Sequence, residues 1–339
     1  MTITLGDLSI RYVNLMLDIA SEQGADTASL AEQFNLDHVL LNQPDGRISI
    51  PKFMRLGQQV IATTHLPQLG IVMGCRVQPS TLGLAGLTAS CAPTMELALE
   101  DFVRFEPLTS KNARGHSQFK ITGKRAISEF YSISPYNEFN YFIVDLALTT
   151  QLTLLRNITG QPLQPQRVLI EFPEPYYAEQ YQHCFQCPIE FNAPTNALIF
   201  STDILTTKTL QGNAITHQEC RLVCEQKLAQ LSKNLNLQER VMQEISPLLQ
   251  TQTLTIEQVA NRLDMPPWTL RRKLKQENLN FKDLLDDTRK ALALIYLRDP
   301  QYSLGEIAYL LGFSYPNAFQ RAFRRWQGVP PGEYRQTQL

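Results

Sequence analysis

Two short stretches near the C-terminus hold the side chains best suited to chemistry. They are Trp268, Thr269, Arg271, Arg272 and Lys275, and then Asn317, Gln320, Arg321 and Arg324. Trp268, Arg271, Arg272 and Lys275 follow the spacing i, i+3, i+4, i+7, so they share one helix face, while Leu270 and Leu274 can turn inward. Asn317, Gln320, Arg321 and Arg324 repeat that spacing opposite a buried stripe of Phe319, Ala322, Phe323 and Trp326. Asn and Gln form bidentate pairs with adenine, and Arg with O6 and N7 of guanine. One basic helix can be a merely solvated face. Two at equivalent positions point to a reader of double-stranded DNA, with recognition helices at about 267–277 and 316–327.

The cysteines carry the rival chemistry. Cys184 and Cys187 form C-x-x-C after His183, and Cys220 and Cys224 lie one helical turn apart after His217. Such thiols can hold zinc or act as a redox pair. The alternative reading is therefore a metal- or redox-responsive DNA-binding regulator signalling through these two pairs. Against it, Cys187 opens a strand-like run where small apolar residues pack, and Cys220 and Cys224 belong to a separate helix. Cys75 and Cys91 read as buried small hydrophobes. Enzyme chemistry is thin: the five His residues accompany no G-x-S-x-G nucleophile motif, and Gly83–Gly86 is too short and apolar to cradle phosphate. Glu171, Glu174 and Glu179 read as a solvated loop. No enzyme, cofactor or metal is expected.

The elements that position the basic faces repeat. Val259-Ala260 matches Ile307-Ala308 at an offset of 48, and the following helix matches at 49 after one inserted residue in the turn. Each copy reads as helix, tight turn, helix. Pro267 and Pro316 suit a first helical turn, Gly312 can take positive φ, and Ser314 is the expected N-cap. Phe281 to Arg298 reads as one long connecting helix with Leu284, Leu285, Leu292 and Ile295 inward. Two readers on one face of a duplex must sit roughly 34 Å apart.

These residues resemble the C-terminal domain of the AraC family of bacterial transcription regulators. The matching segments are QVANRLDMPPWTLRRKLKQENLNF, then Arg289, Ala293 and Leu297, then EIAYLLGFSYPNAFQRAFRRWQGVPPGEYR. Asn278 stands where the family usually has Gly, and Asn also tolerates the left-handed conformation. The resemblance implies a seven-helix domain with two helix-turn-helix units, in which Trp268, Arg271, Arg272, Asn317, Gln320 and Arg321 match DNA-facing positions.

Length and charge frame this reading. The 339 residues suffice for two or three domains, and the net charge is −1. From Asn236 onward there are 14 Lys and Arg against 11 Asp and Glu, a difference of +3; the rest has 17 against 21. An acidic front and a modestly basic back fit a sensor joined to a DNA reader. Useful affinity then calls for a homodimer or two-site binding, and RNA polymerase is a partner if the protein activates. Neither a targeting segment nor a membrane span is visible, which places the protein in the cytoplasm on the nucleoid.

The expected domains are a sensing or dimerisation domain at 1–210, a linker helix at 211–235 and the DNA domain at 236–339. The first reads as α+β, the last as all-α. Helical segments are expected at Ile10–Ala20, Ala28–Asn35, Ile50–Thr64 and Thr94–Phe105, the last with Thr94 as N-cap. Strands are expected at Ser117–Ile121, Ala126–Tyr131, Arg167–Phe172, Ile189–Phe191 and Ala197–Ser201. Leu69–Met73 and Tyr141–Leu148 suit either buried strands or helix segments. Gly57, Gly70, Gly74, Gly83 and Gly86 suggest close backbone approach. Residues 66–108 and 173–205 resemble the non-barrel, arabinose-binding type of sensor found in a subset of the same family. A small-molecule effector follows from that resemblance; its identity and its binding residues do not. The Thr216–Lys233 helix is either a dimer or hinge element, or a helix packed on its own sensor domain.

Overall fold

The computed structural model describes residues 6–112, 116–131, 140–233, 236–249, 254–297 and 302–338. They divide into two compact units, Gly6–Ala229 and Gln230–Leu339.

The N-terminal unit opens with β1 (Gly6–Ser9), α1 (Ile10–Glu22), α2 (Thr27–Gln33), α3 (His38–Asn42), β2 (Arg47–Ser49) and α4 (Ile50–Thr64). It continues with α5 (Leu69–Arg76), α6 (Gly83–Cys91), α7 (Met95–Thr109), β3 (Ser110–Asn112), β4 (His116–Thr122), β5 (Arg125–Tyr131) and α8 (Tyr141–Thr159). Then follow β6 (Arg167–Leu169), α9 (Glu179–Phe185), β7 (Ile189–Glu190), β8 (Asn196–Ser201) and α10 (Ala214–Lys233). One sheet has the order β2-β1-β3, all antiparallel. The other runs β4-β5-β8-β6-β7, antiparallel except for the parallel β6–β7 pair. The α+β character follows the expected segments, and the small sheet is an addition to them. Short side chains start the first helices: Asp26 accepts from the Ser29 amide at 3.0 Å and Asp37 from the Leu40 amide at 2.7 Å. Thr94 precedes α7, but its side chain makes no capping bond.

Helix α8 is the central post. Val144, Leu148, Leu152 and Leu155 face the core shared with the larger sheet, while Phe142, Leu146 and Leu154 face the core around α1 and α4. With both faces buried it reads as a continuous apolar run, and α5 does too; these are the two segments whose type the sequence leaves open. Glycines let α5 lie against α8. A Cβ on Gly74 would stand 2.6 Å from the Thr149 Cβ, and one on Gly70 would overlap the Phe142 carbonyl oxygen.

The C-terminal unit is helical: α11 (Leu237–Ile245), α12 (Ile256–Arg262), α13 (Pro267–Gln276), α14 (Phe281–Tyr296), α15 (Leu304–Leu310), α16 (Pro316–Gln327) and α17 (Pro331–Gln338). Two helix-turn-helix units, α12–α13 and α15–α16, are joined by α14 around one apolar core that includes Val259, Leu270, Leu292, Ile307, Phe319 and Phe323. Helix α14 ends at Tyr296; Arg298, the expected end, lies outside the described residues. Ser314 is not the cap of α16. Tyr315 holds that position without a side-chain bond, because the helix begins one residue later, with Pro316 in its first turn.

Candidate nucleic-acid interface and sensor cavity

The duplication extends to hydrogen bonds. Thr255 and Gln258 cap α12 reciprocally, with bonds of 3.4 and 2.9 Å; Ser303 and Glu306 do the same for α15 at 3.1 and 2.7 Å. In the turns, the Met265 amide donates to the Ala260 carbonyl at 3.0 Å and the Phe313 amide to the Ala308 carbonyl at 2.9 Å. Asp264 (φ 51°) and Gly312 (φ 70°) occupy the same left-handed corner. The capping boxes were available in the sequence as T-x-x-Q and S-x-x-E at the 48-residue offset, and they carry the repeat upstream of Val259. Asn278 takes φ 54°, the conformation for which Asn substitutes for Gly.

The two corners are held differently. A Cβ on Gly312 would overlap the Leu249 carbonyl oxygen, so that backbone approach admits only glycine. Arg289 on α14 then donates to the Leu311 carbonyl at 3.0 Å and the Gly312 carbonyl at 3.1 Å, with its guanidinium 4.6 Å from the Phe313 ring centre. It thereby satisfies the carbonyls of the α15 C-cap and of the residue after it. Burial lowers the Arg289 pKa, yet guanidinium stays charged. In the sequence, Arg289 stands out only by its four-residue spacing to Ala293 and Leu297.

The faces of α13 and α16 fall as their periodicity requires, except that Trp326, expected in the buried stripe, is only half-buried. Leu270, Leu274, Phe319, Ala322 and Phe323 are buried. Arg271, Arg272, Lys275, Asn317, Gln320, Arg321 and Arg324 are exposed, Thr269 is half-buried, and Trp268 keeps 63% of its surface open. The exposed sets correspond one to one at an offset of 49: Trp268 to Asn317, Arg271 to Gln320, Arg272 to Arg321, Lys275 to Arg324. Two members already have local partners. Arg271 pairs with Glu257 on α12, and the Arg272 guanidinium lies 5.7 Å from the Trp268 ring centre.

Residues 24–209 match the family described as the arabinose-binding domain of AraC transcription regulators, N-terminal, and residues 259–337 match a helix-turn-helix domain family. The chain belongs to the AraC family of transcription regulators. It is 29% identical to the Ornithine utilization regulator of Pseudomonas aeruginosa, over 97% of this chain and 96% of that one. It is 28% identical to the HTH-type transcriptional regulator VirS of Mycobacterium tuberculosis, over 98% and 97% respectively. The crystal structure of the transcriptional regulator CdpR from Pseudomonas aeruginosa aligns with 96% of this chain and 98% of its own, at 19% identity and a TM-score of 0.46. This is a DNA-binding transcription regulator, and among its described residues no helix is long and apolar enough to cross a membrane.

The regulator's N-terminal unit contains a cavity of about 120 Å³. Tyr12, Phe53, Phe102, Phe130, Leu146 and Leu154 give it apolar walls. Glu106 on α7 reaches it part-buried, accepting from the Ser117 hydroxyl at 3.0 Å and the Ser117 amide at 3.2 Å. Burial pushes the Glu106 carboxyl up to about 7, and raises the Tyr12 phenol further above its ordinary value. Thr150 also lines the cavity, and its buried hydroxyl has no hydrogen-bond partner.

Helix α7 has a second face. Residues 102, 103, 106 and 109 line the cavity, while 101, 104, 105 and 108 turn toward α10. Asp101, fully buried, lies 2.6 Å from Nε2 of His217 and 2.9 Å from the Arg221 guanidinium. Arg104 forms a two-pronged pair with Glu225, both bonds 2.9 Å. Phe105 packs with Cys224 and Leu228. The linker helix is therefore clamped to α7 along its N-terminal part, and the division between the units falls inside it, after Ala229.

One thiol of the C-x-x-C meets a partner distant in sequence. The Sγ of Cys184 lies 3.8 Å from that of Cys75, from a helix 109 residues away. Cys75 is exposed and Cys91 half-buried, so neither is the buried small hydrophobe expected; Cys75 sits in the last turn of α5, where the packed face of that helix ends. Cys224 is buried against Thr88, 3.2 Å from its hydroxyl. Among the described residues no group of three or more His, Cys, Asp or Glu is placed to hold a metal ion.

Proposed function

We propose that this regulator reads two successive major-groove segments of one duplex with α13 and α16, under control of a small molecule in the N-terminal cavity. Arg271, Arg272, Gln320 and Arg321 are the base-reading candidates, with Trp268, Thr269, Lys275, Asn317 and Arg324 completing the two contact faces. The observation that carries this is the register: side chains able to pair with bases or phosphates occupy equivalent exposed positions, while their apolar neighbours share one core. A domain with so modest a positive charge needs both units, and a homodimer adds a second pair. RNA polymerase is the further partner if the outcome is activation.

The control side rests on α7. A ligand against Phe102, Val103 and Glu106 acts on the helix whose other face clamps α10, and α10 leads into the C-terminal unit. Control requires the ligand to favour one α7–α10 arrangement over another, since equal affinity for both shifts nothing. A full-length relative is named for the utilisation of a metabolite, which fits a metabolite signal.

The test is a footprint and gel-shift series on a duplex that the protein itself selects from random sequence. Arg272→Ala and Arg321→Ala should each weaken specific DNA by about 1–3 kcal/mol and relax base choice at one position, in two patches about one helical turn apart. Equal losses on specific and random DNA, or a single protected patch, would refute paired direct readout.

A further inference from the structure

We propose that the N-terminal cavity is a binding site for a small primary amine lacking a carboxylate, its ammonium group held by Glu106 and Thr150. This rests on the reading of that cavity as the effector site.

Size comes first. A volume of about 120 Å³ is a little below that of apolar protein cavities near 150 Å³ that take up benzene, so the occupant has about four to six non-hydrogen atoms. Phe53, Phe130, Leu146 and Leu154 require most of those atoms to be hydrocarbon. The charge of the occupant follows from the polar wall. Glu106 is the one carboxylate among the described lining residues, and no Lys, Arg or His stands among them. Ser117 supplies two donors to Glu106, and an ionised carboxylate offers about four acceptor positions. Lone pairs remain for a ligand that donates.

An ammonium group has three donors and no acceptor. It meets the remaining Glu106 positions with charge as well as hydrogen bonds, offsetting the burial that disfavours the ionised carboxyl. Its third donor has an acceptor in the Thr150 hydroxyl, a buried group otherwise without a partner. A carboxylate or phosphate would face Glu106 with no cation to receive it. A free amino acid meets the same obstacle at its own carboxylate. A neutral alcohol brings one donor and no charge to Glu106, so it cannot favour the ionised carboxylate as an ammonium group does.

The experiment uses the full-length protein and three probes of matched length: n-butylamine, n-butanol and butyrate. Methyl NMR titration follows Ile143, Leu146 and Leu154, and thermal unfolding follows occupancy independently. The expected result is n-butylamine binding at least about tenfold tighter than n-butanol, with butyrate weakest of all. Glu106→Gln should reduce the preference for amine to within about twofold. Thr150→Val, isosteric and free of the unpartnered hydroxyl, should weaken n-butylamine several-fold without lowering the unfolding temperature, so the test does not depend on one variant folding. Stronger binding of n-butanol or butyrate, an amine preference that survives Glu106→Gln, or no methyl shifts with any probe would overturn the assignment. Gel shifts on the same preparations separate the outcomes: specific DNA binding retained beside a failed titration rejects the ligand and its pocket while leaving the DNA reading in place.

Discussion

Replacing Glu106 by Gln should make the N-terminal unit more stable, and increasingly so as pH rises. Burial holds the Glu106 carboxyl at about 7, against an ordinary 4.5. Between those values the folded chain keeps a proton that the unfolded chain has released. A raised carboxyl therefore contributes stability below the unfolded value, and that contribution is lost as pH climbs through the folded one. At 1.36 kcal/mol per pH unit, the loss between 4.5 and about 7 is at most about 3.4 kcal/mol. Gln cannot titrate, and it fits the same partners: its carbonyl can accept from the Ser117 amide while its NH2 donates to the Ser117 hydroxyl. Asp145, which burial also pushes up to about 7 beside Tyr177 and Tyr181, titrates in the same window in both proteins and drops out of the difference. The assay is urea unfolding of both full-length proteins at intervals from about pH 5 to 8. Both tryptophans, Trp268 and Trp326, lie in the C-terminal unit, so their fluorescence follows that unit as an internal control. Far-UV circular dichroism and tyrosine signals follow the N-terminal transition. Parallel pH curves for the two proteins would refute the buried-carboxyl account.

Other outcomes follow from the packing. Gly312→Ala combines positive φ with overlap on the Leu249 carbonyl and should cost the C-terminal unit about 2–4 kcal/mol by tryptophan fluorescence; Asp264→Gly, at the equivalent corner, should be neutral or stabilise by no more than about 1 kcal/mol. Asp101→Asn removes the buried charge that faces His217 and Arg221, and hydrogen exchange should rise along residues 217–229 while α13 and α16 keep their protection. Iodoacetamide near neutral pH should label Cys75 before Cys184 or Cys187 by mass spectrometry, because the adjacent Cys184 thiol draws Cys75 down to about 7 while burial holds the Cys187 thiol up at about 11.

Most of the DNA-binding half was legible because its determinants are local. Helical period separates Leu270 and Leu274 from Arg271 and Arg272, proline marks helix starts, and a corner needs Gly or Asn. What escaped is held by distant partners. Nothing near Gly312 announces the Leu249 carbonyl, and Arg289 as a clamp on the next turn is visible only once α14 is packed. Ser314 lies one residue before the true cap, because Pro316 sets the helix start and leaves Tyr315 in the cap position. In the sensor half the strand periods were readable, but α5 and α8, apolar on all sides, hide their type. Glu106 looks like any acidic residue on a helix; only Ser117 and the surrounding aromatics give it its environment. The cysteines show the limit most plainly, because closeness in sequence suggested Cys184 with Cys187, and the fold brings up Cys75.

The Arg271–Glu257 pair has a consequence for how salt will act on this regulator. A cation that meets DNA normally expels condensed counterions into solution, and the resulting gain sets the steep decline of affinity with ionic strength. Arg271 carries its counter-ion covalently, one helix away. In the proposed readout, Arg271 exchanges Glu257 for a phosphate or guanine, one fixed neighbour for another. The slope of log affinity against log salt should then report fewer ionic contacts than a footprint reveals, and Glu257→Gln should restore part of the missing steepness.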